Sequence, residues 1–339
     1  MSQPGKPLNK FWSQTQRGRV ISVAPRPLVT KSTRIFTIGS CFAMEIRRQL
    51  QENGYRSLPD FSGVQLDLSR QFAAGIPDNE RFVYYDTFTI RQEFDKAFGL
   101  WQQDASSYWR VTDKRINSDS NWPVVFQDPH RKLCFADSLE AIEGVRGQVD
   151  RAIGAGIHEA DLYIVTLGLI EVWRIKSSGR YSCRPPGTAG AGGREEAEFH
   201  LSTFEENLAN MQHVFRTLFQ HYPDRQVVLT VSPVALEATH TGGDVVVANM
   251  ESKALLRAVA GRLCREFPNV HYFPSYEYSI YADVFEEDGR HVKKQEVTNI
   301  LDFFFTVFGD GSARPAQAGA VPAPAAAPAA RAFTGRSWS

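Results

Sequence analysis

No run of about 18 apolar residues occurs in the 339-residue chain, so no membrane-spanning helix is expected. The longest near-apolar tract, Ile300 to Phe308, is too short and contains Asp302. The opening Met-Ser-Gln-Pro-Gly-Lys carries no apolar stretch of signal-peptide type, and a cytoplasmic location is expected. Cysteine is scarce. Cys41, Cys134, Cys183 and Cys264 are scattered, with no Cys-x-x-Cys pair, so no zinc or dithiol motif is read, and no metal or cofactor is expected. An excess of either charge is also missing. Lys plus Arg and Asp plus Glu both number 38, which argues against a nucleic-acid partner, since that needs a concentrated basic face. No internal repeat is visible.

What is present is apolar and aromatic. Hydrophobic residues make up 42% and aromatics 12%, with 23 Phe, enough for a sizeable core. Ile35 to Ile38, Asp161 to Leu167, Gln226 to Val231 and Val270 to Pro274 read as strands, the first two as buried ones. Helices are read from Met44 to the Asn53-Gly54 stop, after Thr87 as a cap, over Ser138 to Ile153, Phe204 to Tyr222, Ala248 to Phe267 and Val297 to Phe308. Tyr108 to Val111 and Val124 to Phe126 read as a small β insertion. Pro59 to Ser69 and the Gly-, Ser- and Pro-rich Ser177 to Gly193 read as loops. Strands alternating with helices predict an α/β layer architecture with a mainly parallel sheet. Residues 1–30 read as an N-terminal arm, 31–308 as the domain, and 309–339, rich in Ala and Pro, as a disordered tail.

In such a sheet, ligands bind beyond the carboxyl ends of the strands. Four features gather there: Gly39-Ser40-Cys41, Gly168 to Glu171, Ser232-Pro233, and the turn with Asp288 and His291. They supply a nucleophile at a strand-to-helix turn, a glycine with polar neighbours, and an Asp-His pair three residues apart. Acyl transfer uses this set: a nucleophile, an imidazole to move the proton, a carboxylate to orient it, and N–H donors for the oxyanion. His240, in a loop after a strand, is the alternative base. Asn249 and Ser252 or Lys253 share a helix face. They either line the cleft or cap and solvate the helix; the second is favoured, with Asn249 kept among the substrate-binding candidates. Trp173 is read as a buried aromatic in preference to a sugar-stacking ring.

Gly39-Ser40-Cys41-Phe42-Ala43 spells the motif that names the GSCFA-domain family. Thr166 to Leu169 with Glu171 and Trp173, Thr230 to Val234, Ala248-Asn249 with Ser252-Lys253 and Leu256 to Gly261, and Tyr272 to Glu277 also resemble that family's segments. The resemblance covers roughly residues 31 to 308. The family is similar to the SGNH/GDSL hydrolases, which implies a three-layer α/β/α sandwich with a flavodoxin-like sheet and an esterase or acyltransferase site. Carried over, the hydrolases' Gly-Asp-Ser block falls on Gly39-Ser40-Cys41. That implies Cys41 as nucleophile, with Ser40, standing where the Asp would be, as the alternative. Their Gly-x-Asn-Asp block falls on Gly168 to Glu171, with Ile170 in place of the oxyanion-binding Asn. Asp-x-x-His matches Asp288 to His291. The block that contributes a further glycine has no clear counterpart, and Thr87, Arg91 and Gln92 are the polar candidates from that region.

The resemblance implies a hydrolase or acyltransferase acting on a small-molecule or carbohydrate ester, such as an O-acyl group of a carbohydrate, through a covalent acyl-enzyme. Backbone N–H groups of Gly39 to Phe42 and near Gly168 would hold the oxyanion. The alternative is a non-catalytic binding module that keeps the fold, in line with the missing Asn and the Ser at position 40. Oligomeric state is left open.

Overall fold

The computed structural model describes residues 21, 23–65, 67, 70–72, 83–111, 125–131, 134–186, 193, 195–281 and 284–311. The proposed tail from residue 312 onward and residues 1–20 of the arm lie outside the described residues.

Five parallel strands form the central sheet: β1 (Arg34–Gly39), β2 (Arg56–Leu58), β7 (Leu162–Leu167), β11 (Gln226–Val231) and β12 (Val270–Tyr272). Their spatial order is β12-β11-β7-β1-β2, all pairs parallel. Counted along the sheet's own strands this is the order 2-1-3-4-5, that of a flavodoxin-like sheet. The expected α/β class and parallel sheet are therefore present. The three-residue edge strand β2 is an addition to the sequence reading. It is too short and too polar to carry a periodic signal, and its pairing with Arg34 to Phe36 defines it.

The strands sort their side chains with period two, so each face of the sheet has its own core. Phe36, Ile38, Tyr163, Val165, Val227 and Leu229 point into one. That layer is covered by α2 (Thr87–Ala97), α3 (Leu139–Glu159), α4 (Phe204–His221) and α5 (Val245–Glu266). Ile35, Leu162, Ile164 and Val228 point the other way. There they meet α1 (Cys41–Glu52) and α7 (Lys294–Phe308), with Tyr55 stacked on Phe305 at 4.6 Å between ring centres. Helices on both faces complete three layers. A short α6 (Ser275–Tyr281) follows β12.

Caps explain most helix starts. Ser138 accepts from Ala141 N–H before α3, and Thr203 forms a capping box with Glu206 before α4. Asp244 caps α5, which starts at Val245, three residues earlier than the Ala248 start read from sequence. The cap of α2 is Asp86, not Thr87, because the Asp86 carboxylate reaches Thr89 N–H at 2.8 Å. α1 starts at Cys41 instead of Met44, because Ser40 takes the cap.

Two small antiparallel sheets are appended. The expected β insertion is a four-stranded sheet, β3 (Gln71–Phe72), β6 (Phe135–Ala136), β5 (Val125–Gln127) and β4 (Trp109–Val111). A three-stranded sheet, not anticipated from sequence, pairs β8 (Glu171–Ile175) with β9 (Tyr181–Ser182) and β10 (Ala197–Leu201). It rises directly from the end of β7 and so walls the carboxyl edge of the main sheet. From the arm, Leu28 and Val29 donate backbone N–H groups to Phe308 O, and Asp310 N–H returns to Val29 O. Among the described residues no helix is long and apolar enough to cross a membrane.

Candidate active site

β1 and β7 are the neighbours at which the strand order reverses, where open α/β sheets leave a crevice. Two glycines make the crevice possible. Gly39 ends β1 at φ +138°, and a Cβ there would lie 2.2 Å from Thr166 O across the strand pair. Gly168 follows β7, and a Cβ there would lie 2.5 Å from Tyr85 O. No other residue type allows these backbones to approach so closely.

A cleft of about 530 Å³ opens at this edge. Its floor is Ser40, Cys41, Gly168 and Ser232. Its walls are Tyr85 and Asp86, Glu171 to Trp173, Ser182 to Pro185, Val234 to Ala238 with His240, and Arg290. Ser40 and Cys41 have separate tasks. The Ser40 hydroxyl is 2% exposed, accepts from Phe42 N–H at 3.3 Å and donates to Ser232 Oγ at 2.9 Å. Both capacities are committed to capping α1 and tying β1 to β11. Cys41, the first residue of α1, is half-buried and faces the cleft from the positive end of the helix dipole.

The Asp288-His291 pair forms as the spacing predicts. Asp288 Oδ2 lies 2.5 Å from His291 Nδ1, and Asp288 Oδ1 accepts the N–H groups of Arg290 and His291 at 2.9 Å. The hydrogen bond from His291 draws the Asp288 carboxyl down to about 2. The His291 side chain is 58% exposed, and of the described residues this turn contributes Arg290 to the cleft wall, not His291 or Asp288. His240 lines the cleft, edge-on to Trp173 at 4.9 Å. Trp173 is half-buried: it packs on the small core of Trp109, Ile175 and Ala197 and also lines the cleft, so the reading of it as a buried aromatic holds in part.

Glu171 holds the loop carrying His240, accepting from Thr239 Oγ1 at 2.6 Å and from His240 N–H at 2.9 Å. Ser232 accepts from Val234 N–H at 3.3 Å, and Asn249 Oδ1 accepts from Leu236 N–H at 3.1 Å, so both shape the Val234 to Ala238 wall. The amides of Gly168 and Leu169 both donate to Tyr85 O, at 3.1 and 2.7 Å. The Ile170 amide goes to Ser252 Oγ at 3.2 Å.

Thr87, Arg91 and Gln92 are not brought to the cleft. Thr87 exchanges hydrogen bonds with Asn207 and Asn210, Arg91 donates to Asn210, and Gln92 pairs with the backbone of Tyr181. They fasten α2 to α4 and to β9.

Lys253, expected to solvate α5, is fully buried instead. Its Nζ donates to Gly168 O at 2.9 Å and Val234 O at 2.8 Å. Burial pulls its ammonium down to about 7, with the charge of Cys41 opposing that shift and Arg290 adding to it. The signal was in the sequence: Lys253 lies three residues before Leu256 and seven before Ala260, on the stripe that α5 buries. Asp86 was also missed. Its buried carboxyl is raised to about 6 by desolvation, against the hydrogen bonds from Thr89. No group of three His, Cys, Asp or Glu side chains able to hold a metal ion occurs among the described residues.

Comparison with known proteins adds the family. A search of curated proteins finds no match. Among solved structures, an acetyl xylan esterase from the rumen bacterium Butyrivibrio proteoclasticus is similar over 39% of this chain and 34% of its own, about a third of its length, at 16% identity and a TM-score of 0.19. The family profile for the GSCFA family matches residues 34–304, from the first residue of β1 into α7. The chain belongs to the GSCFA family.

Proposed function

We propose that the protein is a hydrolase or acyltransferase that acts on an ester through a covalent acyl-enzyme on Cys41. The observation that carries this reading is the position of Cys41 at the first turn of α1, facing a cleft of about 530 Å³ at the sheet's crevice, while Ser40 is held as cap. Thiol nucleophiles gain reactivity at helix N-termini and beside cations, because both favour the thiolate. In this reading the thiolate attacks the ester carbonyl, the alcohol leaves, and a thioester remains until water or a sugar hydroxyl takes the acyl group. The family resemblance assigns proton transfer to His291, oriented by Asp288. The amides at Gly168 and Leu169 are spent on Tyr85 O, and the Arg290 guanidinium is engaged by Ala235 O and Glu237, so the oxyanion falls to the α1 N-terminus and to the guanidinium of Arg184 in the cleft wall. The half-buried Trp173 beside His240 supports a carbohydrate as the group that carries the acyl chain.

The test is hydrolysis of short-chain aryl esters and of acetylated sugars by wild type and by Cys41→Ala, Ser40→Ala and His291→Ala. Loss of turnover by two or more orders of magnitude in Cys41→Ala, with acyl label on the Cys41 peptide, is the expected result. Equal turnover in all four proteins overturns the reading.

A further inference from the structure

Outside the cleft, three basic side chains from three elements meet around a single buried carboxylate. Asp95 of α2 accepts one side-chain hydrogen bond among the described residues, from His213 Nε2 of α4 at 2.7 Å. Arg91, one turn earlier on α2, brings its Nε to 3.4 Å from Asp95 Oδ2. Arg180, just ahead of β9, brings its Nη1 to 3.7 Å from the same oxygen. Neither contact is a hydrogen bond: the first is misaligned and the second too long. Arg91 Nη1 donates to Asn210 Oδ1 at 3.2 Å, and its other donors meet no acceptor among the described residues. The Arg180 guanidinium makes no hydrogen bond among them at all and lies over the Trp101 ring, 4.6 Å from its centre.

Two guanidiniums against one carboxylate leave positive charge unanswered, before His213 is counted. Burial pulls the Arg180 guanidinium below its ordinary value and Arg91 adds to that, against the attraction of Asp95. A guanidinium presents five donors in a fixed fork, and two such forks side by side lack an anionic acceptor here. Arg91, Arg180 and His213 stay 38%, 33% and 33% exposed, so an ion from solvent reaches them.

We propose that Arg91, Arg180 and His213 form a binding site for a phosphate-type oxyanion, separate from the cleft. A tetrahedral, doubly charged oxyanion supplies the acceptors that both forks lack and offsets more charge than a carboxylate ligand would. It is either free phosphate or the phosphoryl group of a small phosphomonoester. The site also joins two elements that lead into cleft walls: Arg180 precedes the Ser182 to Pro185 wall, and α2 follows the Tyr85-Asp86 wall. Gln92 Oε1 already ties these elements by accepting from Tyr181 N–H at 2.8 Å. An anion held between Arg91 and Arg180 adds a second tie. None of the three basic residues lines the cleft, so the site stands whatever reaction occurs at Cys41.

Titration calorimetry of the full chain with inorganic phosphate and with glycerol phosphate reads the affinity, at an ionic strength held constant with chloride. Amide hydrogen exchange locates the ion. Saturable binding is expected, with exchange slowed in the peptides that hold α2 and Tyr181 to Pro185. Arg180→Met, at a partly exposed position, weakens binding about tenfold or more, because charge-assisted hydrogen bonds are lost. Asp95→Asn tightens binding, because it removes the anion that competes for both arginines. Arg216→Met, an exposed arginine of α4 paired with Glu266, leaves binding in place. Tighter binding of glycerol phosphate assigns the site to a phosphorylated small molecule, and equal or tighter binding of phosphate assigns it to the free ion. The proposal is overturned by no saturable binding of either, by equal affinity in wild type and Arg180→Met, or by an equal loss in Arg216→Met. Unchanged or weaker binding in folded Asp95→Asn, or protection confined to other peptides, overturns it as well.

Discussion

Two of the buried cations among the described residues, Arg131 and Lys253, are treated in opposite ways. Arg131, with its side chain 0% exposed, sits between α2, α3 and the four-stranded sheet, surrounded by carboxylates. It reaches Asp128 at 3.1 Å, Glu93 at 3.1 Å and Asp150 at 2.5 Å, and Lys96 closes the network on Glu93 at 2.6 Å. Burial opposes its charge, yet the carboxylates, Asp150 foremost, hold its guanidinium well above the ordinary value. Lys253 has the same burial and no carboxylate, so burial wins and its ammonium falls to about 7. A network of paired charges fixes one arrangement of helices, while Lys253 is held only by the carbonyls of Gly168 and Val234.

Four measurements break or sharpen that contrast. Arg131→Met leaves the buried Asp128 without its cation, while Glu93 and Asp150 keep Lys96, and is expected to cost about 3–5 kcal/mol in urea unfolding. A loss under about 1 kcal/mol would make the network dispensable. Asp86→Asn comes next. The folded carboxyl titrates near 6, above its ordinary 3.8, so wild type gains stability as pH falls from above 6 toward 4. The shift of about two units corresponds to at most about 3 kcal/mol. The variant keeps the cap and loses that slope; a slope equal to wild type's refutes the assignment to Asp86. Gly168→Ala drives a methyl to 2.5 Å from Tyr85 O and moves the carbonyl that Lys253 holds. About 1–3 kcal/mol is expected in urea unfolding. A loss under about 0.5 kcal/mol would show that the two backbones can separate without cost. The smallest stability effect belongs to Lys253→Met, within about 2 kcal/mol at pH 7, because two hydrogen bonds are lost and a desolvation cost is relieved. Wild type gains stability as pH climbs from about 7 toward the unfolded lysine's 10.5, since only the unfolded chain still holds the proton. The variant lacks that gain, and its persistence would place the titration elsewhere.

The central strands were legible because burial on both faces leaves continuous apolar runs: Leu162 to Leu167 and Gln226 to Val231 needed no context. β2 and the sheet of β8, β9 and β10 were not. Their two- to five-residue strands exist through pairing with distant partners, such as Ala197 to Leu201 against Glu171 to Ile175. The same division runs through the site. Asp288 and His291 meet because three residues in one turn bring them together. Thr87, Arg91 and Gln92 read as polar and available, yet tertiary contacts with α4 and β9 claim all three.

The sequence by itself determined that Gly39-Ser40-Cys41 ends a buried strand and opens a helix, because local sterics and period settle that much. Only the tertiary structure showed that the Ser40 hydroxyl on the cleft floor is engaged across the sheet while Cys41 lies beside it at the start of α1. Ser40 is held by Ser232, 192 residues away, and its hydroxyl is spent there. Only the tertiary structure, too, brought the Lys253 amine to the Gly168 carbonyl, 85 residues back along the chain. Hydrogen-bond partners at such separations leave no local pattern; they exist because strands β1, β7 and β11 lie side by side and bring their carboxyl ends to one edge.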